Sequence, residues 1–150
     1  MLRYSVLALI LLSLPAAAQQ GQKDFPHIVP RDWTVVPPAK SDEWRAVSPR
    51  RDAWLSLYAS PVRGPIGAHL HGWGVNAGDR VTYQRRGEQW SVISGYTTAS
   101  HIFYRETMLA CGGRKWHNLE FEYPATDKPG MDEFVTRASH ALGAYSSAGC

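Results

Sequence analysis

The sequence predicts an α+β fold: an antiparallel β-sheet meander with a C-terminal helix packed on one face. Three observations predict it. Strand-forming runs between Arg80 and Tyr123 are separated by short turn signals. Met131, Phe134, Val135, Ala138, Ala141, Leu142 and Tyr145 then recur at i, i+3, i+4, i+7 spacing, the period of a helix with one apolar stripe. A hydrophobic content of 44% and a charged content of 19% are those of an ordinary globular chain.

The chain opens on a secretory signal. Arg3 is the positive end, Val6 to Leu12 the short apolar core, and Ala16-Ala17-Ala18 the small residues of a cleavage site. The apolar run is shorter than the roughly 20 residues a membrane span needs. The expected division is a signal peptide at 1–18, a flexible lead-in at 19–30, and a single α+β domain at 31–150, with no transmembrane segment in the mature chain. Cleavage after Ala18 removes one Arg and no acid, leaving the formal charge one below the +3 of the whole chain. So weak a charge, in an exported protein, argues against nucleic acid as a partner.

Trp33 to Val36 reads as a short strand stopped by Pro37-Pro38. Trp44 to Ser48 and Ala53 to Ser60 read as a hairpin around Pro49-Arg50-Arg51-Asp52, where Pro presets φ and Asp favours a turn. Between Pro61 and Gly78 glycine and proline abound. Ile66, Leu70 and Trp73 keep helical spacing there and allow one short helix. The meander follows. Arg80 to Arg85 places Val81, Tyr83 and Arg85 on one face; Gln89 to Tyr96 places Trp90, Val92 and Tyr96 opposite Ile93. Ile102 to Ala110 is apolar on both faces, which marks an interior strand. Trp116 to Tyr123 points Leu119, Phe121 and Tyr123 inward and ends at Pro124. The final helix is expected to run about four turns, with Asp132 and Glu133 in its first turn beside the positive end of the helix dipole.

This order resembles the PsbP-like family of exported domains. The likeness covers roughly Trp44 to Tyr145. It rests on W-x-x-V-S-P-x-x-D-A-W-L-S-L-Y, on R-V-T-Y-Q-R-R-G-E-Q-W-S-V-I-S-G, on I-F-Y-R-E-T-M-L, and on Tyr-Pro before a final helix. More closely, the chain is similar to small uncharacterised secreted proteins of α-proteobacteria with this layout. The resemblance implies a fold and an envelope location. It implies no transferable catalytic residue.

The chemistry-bearing residues are few. Cys111 and Cys150 are an even pair in an exported chain, so a disulfide is expected in preference to a reactive Cys111 aided by His117. His69 and His71 could share one copper or zinc ion if they lie on a strand, where positions two apart face the same side. On a helix they would diverge by about 200°. Further ligands would have to come from His27, His101, His117 or Asp79. Glu120 and Glu122 could serve acid/base chemistry on a glycan, although same-strand carboxylates on a polar face are usually solvated. Arg105 beside Glu106 carries no stronger signal. Arg80, Arg85, Arg86 and Arg114 sit near strand ends, where charge protects sheet edges. Of Trp33, Trp44, Trp54, Trp73, Trp90 and Trp116, only Trp73 falls in the glycine-rich loop, where it could meet a partner.

No G-x-S-x-G, H-E-x-x-H, Walker or EF-hand motif is present. The expected function is therefore an exported, non-enzymatic domain, periplasmic or secreted, that needs no cofactor. It would bind an envelope protein or cell-wall component through Trp73, His69 and His71. A metal-binding protein using His69 and His71, and a small envelope hydrolase, are the alternatives. No catalytic residue is assigned.

Overall fold

The computed structural model describes residues 28–148 and Cys150. The expected signal peptide, most of the lead-in, and His27 lie outside the described residues.

The elements in chain order are β1 (Thr34–Val36), β2 (Glu43–Val47), β3 (Trp54–Pro61), α1 (Ile66–Gly72), β4 (Arg80–Arg86), β5 (Trp90–Tyr96), β6 (His101–Ala110), β7 (Lys115–Pro124) and α2 (Lys128–Ala148). All seven strands form one antiparallel sheet in the order β1-β2-β3-β7-β6-β5-β4. Two local ladders, β1-β2-β3 and β4-β5-β6-β7, are joined where the last strand pairs with the third. The hairpin read around Pro49 is β2-β3, with Glu43 opposite Tyr58 and Val47 opposite Trp54. Its turn is closed by Arg51 N donating to Ser48 O at 2.9 Å and Ser48 Oγ donating to Asp52 at 2.9 Å.

One face of the sheet packs against α2. Leu55, Leu57, Ile102, Leu119, Phe121 and Tyr123 from the strands meet Phe134, Ala138 and Leu142 from the helix. Phe121 sits edge-on to Phe134 at 4.8 Å between ring centres, and Trp33 closes the end of the cluster 5.6 Å from Phe134. These are the helix positions the periodicity marked. The helix is longer than the expected four turns, because Pro129 is tolerated near a helix start, where no internal N–H bond is lost. Asp132 and Glu133 therefore fall beyond the first turn. They pair at i±4 spacing instead, Asp132 with Lys128 at 2.7 Å and Glu133 with Arg137 at 2.7 Å.

The alternation expected for β4 is broken. A register shift between Val81 and Tyr83 pairs Val81 with Gly95 but Tyr83 with Ser94. The bulge puts these two side chains on opposite faces, with Arg85 on the Tyr83 face. Gly95 is required at this crossing: a Cβ there would stand 2.1 Å from the Arg80 carbonyl oxygen.

Cys111 and Cys150 are joined in a disulfide, with Cα atoms 5.3 Å apart. It ties the end of the chain to the β6-β7 turn across a sequence separation of 39. Replacing both with Ser is expected to destabilise the fold by about 4 kcal/mol on the chain-entropy account. Thermal melts of the oxidised protein and the double variant check this. Coincident melting temperatures would contradict it.

Candidate functional site

The second sheet face is also covered. Chain passing from Pro61 to Arg80 folds back over it, with α1 in the middle. A seven-residue helix is too short to be stable alone, and no side chain caps its start. Contacts with the sheet must hold it. Leu70 is its buried anchor. The segment after it is tied by Arg105, whose guanidinium donates to both the Gly74 carbonyl and the Asp79 carboxylate. Arg105 and Asp79 are each about 95% buried at the side chain. Removing one partner of such a buried pair typically costs about 3–5 kcal/mol. Gly74 suits this approach: its φ is +81°, a conformation that favours glycine, and a Cβ would press on Ile93 at 3.2 Å.

His69 is the residue that α1 delivers to the sheet. Its ring stacks on Trp116 at 4.1 Å with a 7° tilt, and Trp73 lies 6.2 Å away on a near-parallel plane. Burial lowers its pKa from the ordinary histidine value. Nε2 lies 3.4 Å from Thr107 Oγ1, while the Thr107 hydroxyl proton goes to Asn118 Oδ1 at 2.8 Å. Thr107 can then only accept from His69, which assigns the neutral ring as the Nε2–H tautomer. Asn118 completes the chain by donating to Ser60 Oγ at 3.0 Å.

Beside this relay is a charged cluster. Glu120 accepts from the Tyr58 hydroxyl and from Lys40 Nζ at 3.1 Å. The Lys40 ammonium also lies over the Tyr58 ring, 3.8 Å from its centre. Burial, then the Glu120 carboxylate, raises the Tyr58 pKa far above an ordinary phenol, against a hydrogen bond from Trp73. The phenol therefore stays protonated. Glu43 lashes the preceding loop. Its carboxylate accepts from Ser56 Oγ and from the backbone N–H groups of Ala39 and Lys40. Burial would raise its pKa, but these donors and the Lys40 charge outweigh it and hold the group ionised.

The structure brings together some of the residues picked from sequence and separates others. His69, Trp73 and Glu120 share the second face. His71 is exposed, and its Nδ1 is 2.9 Å from Arg86 Nη1. The helix thus turns the two imidazoles toward different partners. Among the described residues, no group of three or more His, Cys, Asp and Glu side chains is placed to hold a metal ion. Glu122 pairs with His101 at 3.2 Å. Neither Glu120 nor Glu122 is a freely solvated charge, as a polar sheet face had suggested; their side chains are only 18% and 21% exposed. Arg80, Arg85 and Arg86 line the outer strand β4, every residue of which is exposed. His117 faces α2, stacked on Tyr145 at 4.4 Å, with Nδ1 3.2 Å from Ser146 Oγ.

Sequence reasoning passed over Thr107 and Asn118, and gave Arg105 beside Glu106 no stronger signal than the Glu120/Glu122 pair. The available signal was the two-sided apolar pattern of β6, which places its polar residues in the interior as well. Glu106 is buried on the α2 face and accepts from Tyr104 Oη at 2.9 Å. No protein-family model matches the chain, and no curated protein matches it significantly.

Burial raises the Glu106 pKa above 4.5, against hydrogen bonds from Ser139 and Tyr104 and the nearby His140. The folded state therefore holds this proton more tightly than the unfolded chain. Stability from this group falls as pH rises through the window between 4.5 and the folded value. Glu106→Gln is expected to flatten that fall and to be at least as stable as wild type at neutral pH. Denaturant melts of both proteins between acid and neutral pH check it; parallel pH profiles would contradict it.

Proposed function

We propose that this protein is an exported, non-catalytic domain that binds a protein or cell-wall component of the envelope through the surface around α1. Its layout is that of the PsbP-like domains, and its place is the periplasm or the cell exterior. The disulfide suits an oxidising compartment. Among the described residues, no helix is long and apolar enough to cross a membrane.

The observation that carries the reading is the α1 segment itself. A helix too short to stand alone is held over the sheet by a buried ion pair and an aromatic stack. It presents half-buried Trp73 together with exposed Ile66, His71 and Val75. Fixing such side chains before binding lowers the entropy lost on association. Aromatic anchors of this kind dominate binding energy at protein interfaces. The groups that could serve acid/base chemistry hold structural positions instead. Glu120 is engaged by Tyr58 and Lys40, Glu122 by His101, and His69 is stacked on Trp116.

A cross-linked pull-down of residues 19–150 from envelope extract tests this, run beside Trp73→Ala and the exposed double variant Ile66→Asp/Val75→Asp. One dominant partner is expected. Its recovery should fall by about tenfold or more in the double variant, with circular dichroism unchanged, as expected for loss of an interface anchor. Equal recovery with all three proteins, or no partner at all, would contradict the proposal.

A further inference from the structure

We infer that β4 is a docking edge, which takes an extended acidic segment of the partner protein as an added strand of the sheet. The inference rests on the binding reading above and names the chemistry of the partner. The α1 surface and this edge are continuous, because His71 of α1 meets Arg86 of β4.

The backbone of β4 is open on its outer side. β4 ends the sheet, with β5 as its strand neighbour. Gly87 N donates to Trp90 O at 2.9 Å, so these residues form a hydrogen-bonded pair at the hairpin end. Bonded and open pairs alternate along an antiparallel ladder. Arg85 opposite Val92 is then a bonded pair, whereas Arg86 opposite Ser91 and Gln84 opposite Ile93 are open ones. The N–H and C=O groups of Gln84 and Arg86 therefore point away from β5, as an added strand requires.

The side chains select what can pair there. Arg80, Arg85 and Arg86 give the strand three cations and no acid. The adjoining turn adds a single carboxylate, Glu88. Val81 and Tyr83 are 37% and 48% exposed and offer apolar contact on opposite faces. Opposite charges directly across a ladder stabilise pairing, and like charges oppose it. A second copy of β4 would set arginines against arginines, so self-pairing is disfavoured. An acidic strand would place carboxylates against Arg85 and Arg86, which Arg meets with a planar, two-pronged donor set. The bulge at Val81/Tyr83 limits the regular edge to residues 83–86.

The test uses an acetylated, amidated peptide of two Glu-Glu-Val-Val repeats, titrated into the 15N-labelled protein of residues 19–150. Amide shifts are expected along residues 83–86, with binding weakened about tenfold on raising salt from roughly 50 to 300 mM. The same peptide N-methylated at every residue, which leaves neither edge a backbone donor, should not bind. Arg85→Glu/Arg86→Glu should reject it and accept the Lys-Lys-Val-Val counterpart, which keeps the result readable as charge selection rather than misfolding. No binding, shifts elsewhere, or equal binding of the methylated peptide would overturn the inference. If the envelope partner is still captured by Arg85→Glu/Arg86→Glu at wild-type level, strand addition falls and the α1 binding reading stands. Loss of capture in the double α1 variant alone likewise assigns the interface to α1 and overturns the edge.

Discussion

The fold depends on a sheet whose central strands are buried on both sides. In β7, four successive residues, Trp116, His117, Asn118 and Leu119, are each 2% exposed or less. Such a strand cannot alternate between core and water, so both faces need a cover. The cost of leaving a buried polar group unbonded is about 1–3 kcal/mol, and the second face meets that constraint with a connected network. Ser56 is bonded to Glu43, Thr107 and Asn118 to each other, and Arg105 to Asp79. Among the described residues, the indole Nε1 of Trp116 is the one buried side-chain nitrogen or oxygen without a partner.

The two covers solve the problem differently. The helix α2 lays a continuous apolar stripe on the sheet, and its contribution is mostly burial of hydrocarbon and aromatic surface. The α1 segment has one buried apolar anchor and is fixed by directional contacts: a guanidinium clamp, the stacking of His69 on Trp116, and a hydrogen bond from Trp73 to Tyr58. Such contacts set orientation more sharply than hydrophobic packing does. They also leave apolar and charged side chains of the same segment facing outward, and these form the surface proposed to bind a partner.

Much of the architecture was legible in the sequence because it follows from period and turn chemistry. The helical stripe from Met131 to Tyr145, the hairpin around Pro49, and the interior placement of β6 are all local patterns that the structure keeps. The β4 bulge was not legible: one extra residue inverts the alternation, and it depends on the close approach of Arg80 to Gly95 across the ladder. The disulfide was readable from cysteine count and setting. The candidate site was legible in residue type but not in grouping. His69, His71 and Trp73 were singled out, yet the helix sends His71 to Arg86 and His69 to Trp116. Glu120 lies 80 positions from the Lys40 that pairs with it, and Arg105 lies 26 from Asp79. No local pattern announces pairings at such separations.

α1 is locked onto the second face through His69. Long-range 1H–15N correlation of the histidine side chains during a pH titration tests it most directly. His69 is expected to be a single Nε2–H tautomer with a pKa below the ordinary value of 6.5, since burial disfavours its charged form. A ring that exchanges between tautomers and titrates as a free histidine would show that α1 is not seated on the sheet.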